Sequence, residues 1–264
     1  MTTREHISYS EMKDWIFCPF YHKLNYIEGL KAFKGNEYTA FGTAIHSTCE
    51  ESLLNEDKIN HKDLFAETFV EEVKKLVEDS IDVKKKLILD MKQQGEALAN
   101  LPYPATKRYF GDFEVVSVEE QLYEPIDEFT EAEYKFKGFI DAVIKTPDGK
   151  YHIIDWKTCS WGWDRKKKND PIINYQLTLY KYFFAKKHGI DLSNIETYFG
   201  LLKRTAKNDK VEIYRVTSGS KKTENALKYV LKALHNITNK KFIKNRLSCT
   251  SGYGCPFYKT ENCP

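Results

Sequence analysis

The sequence predicts an α/β sandwich in which helices flank a mixed β-sheet. Three observations predict it. The apolar patterns run in the order helix, three strands, helix, strand; the 264 residues are enough for a self-sufficient core; and 41% hydrophobic with 30% charged residues fits a soluble globular protein. No run approaches the roughly 20 apolar residues of a membrane helix. Because the first ten residues, MTTREHISYS, contain no apolar secretion signal, we expect an intracellular, cytoplasmic protein without membrane contact.

Two helices are predicted ahead of the strands. Ser8 and Glu11 form a capping box, so a short helix should begin near Tyr9 and stop by Pro19. Apolar residues at helical spacing predict a second helix over residues 38–54. Residues 63–99 predict a long, highly charged helical stretch in two or three pieces, which fills an expected helical insertion at 57–100.

The remaining elements follow from alternating apolar residues in strands and from apolar residues three or four apart in helices. We expect strands at 113–123, 134–145, 151–157, 195–202 and 211–216, the last at a sheet edge, and helices at 172–187 and 223–237. We find no internal repeat or linker, and therefore interpret the chain as one domain. Its parts are an N-terminal cysteine helix at 1–30, a core at 38–217 that includes the insertion, and a C-terminal helix with a cysteine-rich tail at 222–264.

The hairpin at 138–158 carries charges where buried strands usually carry apolar residues. A three-residue loop at 147–149 would centre the strand pairing on residue 148 and set Asp141 opposite Asp155, whereas a two-residue loop would put them on opposite faces. Two carboxylates about 5 Å apart destabilise a sheet unless Mg²⁺ or Mn²⁺ joins them. Lys157, on the same face as Asp155, could then offset charge on a phosphoryl group during phosphodiester cleavage. The alternative is an exposed strand face with one surface ion pair.

Other polar residues could complete such a site. His46 could supply a nitrogen ligand, although a structural histidine is the simpler interpretation. Gln176 and Tyr180 lie four apart on one helix face and could meet a phosphate or hold Lys157, or they could belong to an ordinary amphipathic helix. Glu50 is more typical of a solvated residue. Either Glu119 or its neighbour Glu120 could add a carboxylate from the first long strand.

Charge is distributed unevenly although the net charge is only +3. The stretch between Leu201 and Arg246 contains thirteen Lys or Arg residues and only three acidic residues. The stretch between Glu50 and Asp82 contains eleven acidic residues and only four Lys residues. Such asymmetry indicates a surface that meets a polyanion, or else a solvated helix face. We expect Lys203, Arg204, Arg165 and Lys166 to contact nucleic-acid phosphates without reading sequence.

Five segments, taken in order, resemble the PD-(D/E)XK nuclease superfamily and within it the RecB-like exonuclease branch. They are Cys18-Pro19, GTAIHSTCEE, GFIDAVI, IIDWKT and YQLTLY. That branch includes AddB nuclease domains and CRISPR-associated RecB-like exonucleases. The resemblance spans nearly the whole chain and implies a restriction-endonuclease-like core. Ile140-Asp141 stands where the superfamily has Pro-Asp, and Asp155 stands where it has Glu.

The resemblance also implies roles for individual residues. His46, Asp141, Asp155 and the backbone carbonyl of Trp156 resemble the ligands of Mg²⁺ or Mn²⁺. Lys157 resembles the catalytic lysine. Gln176 and Tyr180 resemble the glutamine-tyrosine motif of the branch near the scissile strand, so the expected catalytic residues are Asp141, Asp155, Lys157, Gln176 and Tyr180.

Four of the six cysteines repeat the layout of an iron-sulfur cluster found in several members of the branch, with one early and three late ligands. These are Cys18, Cys249, Cys255 and Cys263. Five residues separate Cys249 from Cys255 and seven separate Cys255 from Cys263, whereas the usual gaps are two and five. A 4Fe-4S cluster would tie the two ends of the chain together, with structural Zn²⁺ or free thiols as the alternatives. Disulfides are not expected in an intracellular protein.

These observations predict a metal-dependent deoxyribonuclease, an exonuclease that hydrolyses single-stranded or frayed DNA. Repair, recombination and phage-linked or CRISPR-linked DNA processing are all compatible contexts, with a helicase or a recombination protein as a possible partner. The competing hypothesis is a non-catalytic nucleic-acid-binding subunit of a helicase-nuclease complex, since the chain has no phosphate-binding Gly-Lys-Ser/Thr loop of its own. A redox-responsive scaffold is a third interpretation.

Overall fold

A mixed β-sheet with helices on both faces forms the fold, in a computed structural model that describes residues 5–31, 33–55, 58–252 and 254–264. The predicted α/β architecture is therefore confirmed. Residues 1–4 of the expected N-terminal part and residue 57, where the insertion should begin, lie outside the described residues. The division into three parts of one domain stays a prediction. None of the described helices combines the length and the apolar composition needed to cross a membrane.

The sheet contains six strands. They are β1 (His6–Ser8), β2 (Glu114–Pro125), β3 (Lys135–Lys145), β4 (Tyr151–Cys159), β5 (Ile195–Lys203) and β6 (Val211–Val216). Their order is β1-β3-β4-β5-β6, and β2 pairs with β3. The last strand of this order, β6, occupies the predicted edge position. We did not predict β1, because three residues are too few to show an alternating pattern.

One edge of β3 is shared by two strands that leave a gap between them. The other edge pairs with β2 along residues 135–145. On the shared edge, β1 pairs in parallel at 135–137 and β4 pairs antiparallel at 142–145. Between these two ladders, residues 138–141 pair with no described strand on that side. The sheet is therefore open beside Asp141.

Helices cover both faces of the sheet. They are α1 (Tyr9–Phe17), α2 (Pro19–His22), α3 (Glu37–Asn55), α4 (His61–Glu78), α5 (Lys85–Glu96), α6 (Pro102–Phe110), α7 (Arg165–Lys168), α8 (Pro171–His188) and α9 (Ser220–Thr238). A π-helical turn follows α2 at Lys23–Ile27, and 3₁₀ turns lie at Leu192–Asn194 and Arg246–Cys249. Ser8 caps α1 as predicted, since its Oγ accepts a hydrogen bond from the Glu11 amide at 3.1 Å.

Two hydrophobic cores divide the helices between the faces. Residues of α1, α8 and α9 pack on one face against Phe136 and Phe199, and those of α3, α4 and α5 pack on the other against Trp156. The stretch predicted at 63–99 contains α4 and α5. We did not predict α6, because Pro102 and Pro104 obscure its helical pattern, although a proline at the first helical position is compatible with a helix.

Candidate active site at the opening beside β3

The hairpin between β3 and β4 has the predicted three-residue loop. The Thr146 amide donates to the Lys150 carbonyl at 3.0 Å, and Gly149 has a φ of +84°, the left-handed conformation that glycine adopts at no steric cost. The ladder runs from Lys145 opposite Tyr151 to Ala142 opposite Ile154. The next positions in this register are Asp141 and Asp155, as predicted, but the backbone ladder ends before them.

Asp141 bridges β4 and α3 through its side chain. Its Oδ2 accepts a hydrogen bond from the Trp156 amide at 2.6 Å and lies 3.2 Å from Nδ1 of His46. Burial alone would raise the pKa of Asp141, but His46, Lys157 and the Trp156 amide hold that pKa below its ordinary value. Burial lowers the pKa of His46, whereas Asp141 raises it, and the net shift is upward. The carboxylate thus orients the histidine, and a role of His46 as a metal ligand stays a prediction.

Asp155 is a buried carboxylate with too few hydrogen-bond donors. It is 1% exposed, and Lys157 Nζ lies 2.6 Å from its Oδ2. The Lys157 ammonium is thus the charge and hydrogen-bond partner of Oδ2, whereas Oδ1 has no hydrogen-bond donor among the described residues. Burial raises the pKa of Asp155 to about 6, even though Lys157 opposes the shift. Lys157 keeps a raised pKa, because Asp155 and Asp141 outweigh its own burial.

Asp155 should make the stability of the metal-free protein depend on pH. Its folded-state pKa lies above the unfolded value, so the carboxyl stabilises the fold at low pH, and that contribution is lost as the pH rises through about 6. Relative to Asp155→Asn, the wild type should lose up to roughly 3 kcal/mol of unfolding free energy between pH 4 and pH 8. Urea unfolding of both proteins in EDTA measures this difference. Parallel pH profiles would show that Asp155 has an ordinary pKa.

Gln176 and Tyr180 lie together on α8, as predicted. The Gln176 amide nitrogen donates to the Tyr180 hydroxyl at 3.2 Å. A Cβ at Gly138, within the open stretch of β3, would lie 2.7 Å from the Tyr180 ring, so glycine is what allows the ring to approach the strand. Burial and then the charge of Asp155 raise the pKa of Tyr180, which keeps its hydroxyl protonated. The pair therefore presents neutral donors toward the aspartates.

A second pair of carboxyls, Glu50 and Glu119, lies beside Asp141, and Glu119 was one of the two residues considered as an additional carboxylate of the site. Glu119 is opposite Asp141 in the β2–β3 register, just past a bulge, and has a strained φ of +46°. Burial, a hydrogen bond with Glu119 and the charges of Glu119 and Asp141 raise the pKa of Glu50 to about 8. We had expected Glu50 to be a solvated residue, but it is partly buried and paired with Glu119. Glu120 points elsewhere and contacts Lys187 at 2.9 Å. No sequence pattern marks the unusual backbone of Glu119.

The predicted metal ligands lie in pairs, and their role as ligands stays a prediction. Within the described ranges, no group of three or more His, Cys, Asp or Glu side chains is arranged to hold a metal ion. Asp141 binds the Trp156 amide and His46, while Asp155 contacts Lys157, because each carboxylate takes the nearest donor or cation. The chemistry of the donor set still fits a hard cation, since two buried carboxylates occupy facing positions of the hairpin register and Oδ1 of Asp155 lacks a hydrogen-bond donor among the described residues.

The four predicted nucleic-acid-binding cations have different surroundings. Arg165 and Lys166 are exposed on α7. Lys203 is half-buried, with Glu212 3.9 Å away. Arg204 packs over the rings of Tyr38 and Phe41 and donates to Gln94 and Ser160, so its guanidinium already has several protein partners. That arrangement depends on tertiary contacts that the sequence does not reveal, and DNA binding by all four residues stays a prediction.

All four predicted cluster cysteines line one cavity at the junction of α1, α2 and the C-terminal tail. The tail is held there by Asn245, whose amide donates to the Cys18 sulfur at 3.3 Å and whose side chain donates to the Phe17 carbonyl at 2.9 Å. None of the six cysteines forms a disulfide bond. Among the described residues the four cysteines are not arranged as a preformed ligand group for a metal ion. Cys49 is fully buried and packs in the core, as expected.

Comparison with known proteins identifies the fold and the family. A family model of the PD-(D/E)XK nuclease superfamily matches residues 6–260. The crystal structure of a "Putative exonuclease" from Eubacterium rectale is similar with a TM-score of 0.58 at 14% identity, covering 94% of this chain and 86% of that chain. It confirms the restriction-endonuclease-like fold. The crystal structure of SSO0001 has a TM-score of 0.39 at 16% identity, covering 82% of this chain and 92% of that chain. No curated protein matches.

Proposed function

The chain belongs to the PD-(D/E)XK nuclease superfamily, and we propose that it is a divalent-metal-dependent deoxyribonuclease that removes nucleotides from single-stranded or frayed DNA ends. One observation carries the proposal. Asp155 is a buried carboxylate that has Lys157 as partner of Oδ2 and no hydrogen-bond donor at Oδ1 among the described residues, and the charge of Asp141 acts on it as well. Burying such a group costs several kcal/mol unless a ligand compensates.

The residues would divide the chemistry as follows. His46, Asp141, Asp155 and the Trp156 carbonyl would hold Mg²⁺ or Mn²⁺, which polarises the scissile phosphate and lowers the pKa of a water molecule. Lys157 would donate to a phosphoryl oxygen as negative charge grows on it. Asp155 keeps the Lys157 ammonium charged and in place, since its charge raises the pKa of that lysine.

The proposed reaction is the hydrolysis of one phosphodiester bond. The water oxygen bonds to phosphorus, the bond from phosphorus to one sugar oxygen breaks, and that sugar oxygen takes a proton and leaves as a hydroxyl. Gln176 and Tyr180 would donate hydrogen bonds to a phosphate oxygen of the strand beside the broken bond, because both groups are neutral donors on one face of α8. None of these side chains needs to change charge for the substrate to bind.

The test uses anaerobically purified protein with labelled linear and circular DNA, single-stranded and double-stranded, in Mn²⁺, Mg²⁺ or EDTA. Metal-dependent shortening of linear strands from their ends, with circles intact, is the expected result. Cutting of circles would identify an endonuclease instead. Tight DNA binding without cleavage in either metal would favour the alternative, a non-catalytic subunit that works beside a helicase or a recombination protein.

The cysteine cavity supports a second part of the proposal, a 4Fe-4S cluster held by Cys18, Cys249, Cys255 and Cys263, with structural Zn²⁺ as the alternative. Their shared cavity joins the first helices to the tail, so a bound group would cross-link the chain over more than 200 residues.

Metal analysis and visible absorbance of the anaerobic protein test the cysteine proposal. We expect Cys255→Ser to lose iron, or zinc, while the matched variant Cys159→Ser keeps it, because Cys159 lies on β4 outside the cavity. A colourless wild type that contains zinc would show that the four cysteines bind Zn²⁺ and not a cluster. A wild type purified without either metal would contradict both forms.

A further inference from the structure

A polar pocket lies on the face of the sheet that carries α8, between the first turns of α8 and the edge strand β6. We call it the α8–β6 pocket. Its lining includes Trp163, Arg165, Asn174, Tyr214, Arg215 and Lys222. None of these residues contributes to the proposed metal site. Arg165 was named as an expected nucleic-acid contact, and Arg215 and Lys222 belong to the basic stretch between Leu201 and Arg246.

Three polar atoms of these lining residues are buried without a hydrogen-bond partner in the described structure. They are the Trp163 indole nitrogen, the Tyr214 hydroxyl and Oδ1 of Asn174. Asn174 is 6% exposed, and its amide nitrogen is already committed to the Lys168 carbonyl at 3.0 Å, so its oxygen is the atom left over. Buried polar groups without partners are rare and call for an explanation. The residues that carry these two donors and one acceptor line one pocket, and such a set suits a ligand that has both acceptors and a donor.

The charges around the pocket favour an anion. Glu212 contacts Lys168, and Glu196 lies 2.9 Å from Arg215, so these two cations are already neutralised. The guanidinium of Arg165 forms no hydrogen bond or ion pair with any residue that the structure describes. The Lys222 ammonium donates to the Thr217 carbonyl and has no acidic partner among the described residues, and burial lowers its pKa. Two cations without an acidic partner therefore remain, and a guanidinium fork matches phosphate geometry.

The pocket is close to the proposed scissile phosphate. Asp155 pairs with Phe199 on β5, and Phe199 pairs with Tyr214 on β6. Directly paired residues point to the same face, and strands are spaced about 4.8 Å apart, so Tyr214 lies about 10 Å from Asp155 across the sheet. The negative charge of Asp155 contributes to the raised pKa of Tyr214, after burial and Glu212, which places the two side chains in one electrostatic environment.

We propose that the α8–β6 pocket binds one nucleotide of the DNA strand near the nucleotide being cleaved. The phosphate lies between Arg165 and Lys222 and accepts hydrogen bonds from the Tyr214 hydroxyl and the Trp163 indole. A sugar hydroxyl or a base amino group donates to Asn174 Oδ1. The proposal rests on the proposed nuclease function, and it adds a subsite that sets where the strand lies relative to the metal ligands.

Binding in EDTA tests the pocket without any cleavage. The probes are a deoxynucleoside 5′-monophosphate, the same nucleoside without phosphate, and a short labelled strand with or without a terminal phosphate. We expect Arg165→Gln to weaken strand binding roughly tenfold more than Lys166→Gln, a matched variant with the same charge change on α7 but outside the pocket lining. The monophosphate, but not the nucleoside, should compete with the strand for the wild type.

Tyr214→Phe separates a binding role from a structural one. It removes a buried hydroxyl that has no partner in the described structure, so the thermal midpoint should stay the same or rise, while strand affinity should fall several-fold. A larger loss for strands with a terminal phosphate would assign the pocket to the strand end. An equal loss would assign it to an internal phosphate, and both outcomes support the proposal.

The proposal is overturned if Arg165→Gln and Lys166→Gln weaken binding equally and Tyr214→Phe has no effect, because the surface would then act only through net charge. If the variants behave in this way while the wild type cuts DNA in Mn²⁺, the subsite is refuted and the nuclease function stands. If the wild type binds strands in a phosphate-dependent way but never cuts them, the subsite stands and the nuclease function is refuted.

Discussion

Asp155→Asn is expected to lower the rate of metal-dependent DNA cleavage by at least about a thousandfold, with DNA affinity in EDTA unchanged. Asn has nearly the shape of Asp, so the buried position between β3 and α8 should keep its packing. It lacks the negative charge that would hold a divalent cation and that keeps Lys157 in place at 2.6 Å. Single-turnover rates on a labelled linear strand at saturating Mn²⁺ measure the effect.

Asp148→Asn is the matched control for this variant. Asp148 is an exposed carboxylate in the loop of the same hairpin, where it bonds Thr146, and it lies at the far end of the ladder from Asp155. Removing its charge should change the cleavage rate by no more than about twofold, since exposed substitutions away from special features have small effects. Equal rates for wild type and Asp155→Asn would refute the proposed catalytic site.

Lys157→Met should separate charge stabilisation from metal binding. The methionine keeps much of the apolar stem and removes the ammonium, so the cleavage rate should fall by roughly a hundredfold while Mn²⁺ still binds. Combined with Asp155→Asn, it should add little further loss, because residues that act together give non-additive effects. Two independent losses that multiply in the double variant would argue against a shared role for this pair.

The part of the site that could be predicted from the sequence is the part that local rules determine. Loop length and Gly149 determine the register of the hairpin, and the register puts Asp141 and Asp155 at adjacent positions. Helical spacing similarly puts Gln176 next to Tyr180. The side-chain bond from the Trp156 amide to Asp141 was not predictable, because it arises where the backbone ladder ends.

Features that depend on distant segments could not be predicted. The three-residue β1 is a strand only because β3 offers it an edge, and the resulting gap at 138–141 follows from two strands sharing that edge. Glu119 of β2 contacts Glu50 of α3, a residue distant in sequence, from a backbone with positive φ. Arg204 belongs to a basic stretch in sequence, yet it stacks on aromatic residues of α3. Charge patterns predict sign and density, whereas tertiary contacts decide which cations stay available.

Gly200→Ala is expected to destabilise the protein by about 3 kcal/mol or more, which would lower the thermal midpoint by roughly 10 °C. Gly200 on β5 pairs with Trp156 on β4, whose indole is fully buried over it. A Cβ at Gly200 would lie 2.3 Å from the Trp156 ring, so the ring or the strand must move. The same displacement would shift the Trp156 amide, which binds Asp141, and should reduce cleavage as well.

Gly42→Ala provides the opposite control, because the same added methyl group meets no atom within 4 Å. Gly42 lies inside α3, where alanine is the better helix former, so this variant should be more stable than the wild type by up to about 1 kcal/mol. Thermal unfolding of the three proteins in EDTA compares them directly. Both variants could instead shift the thermal midpoint in the same direction by similar amounts. In that case the close packing of Trp156 on Gly200 does not hold β4, Asp141 and Asp155 in position.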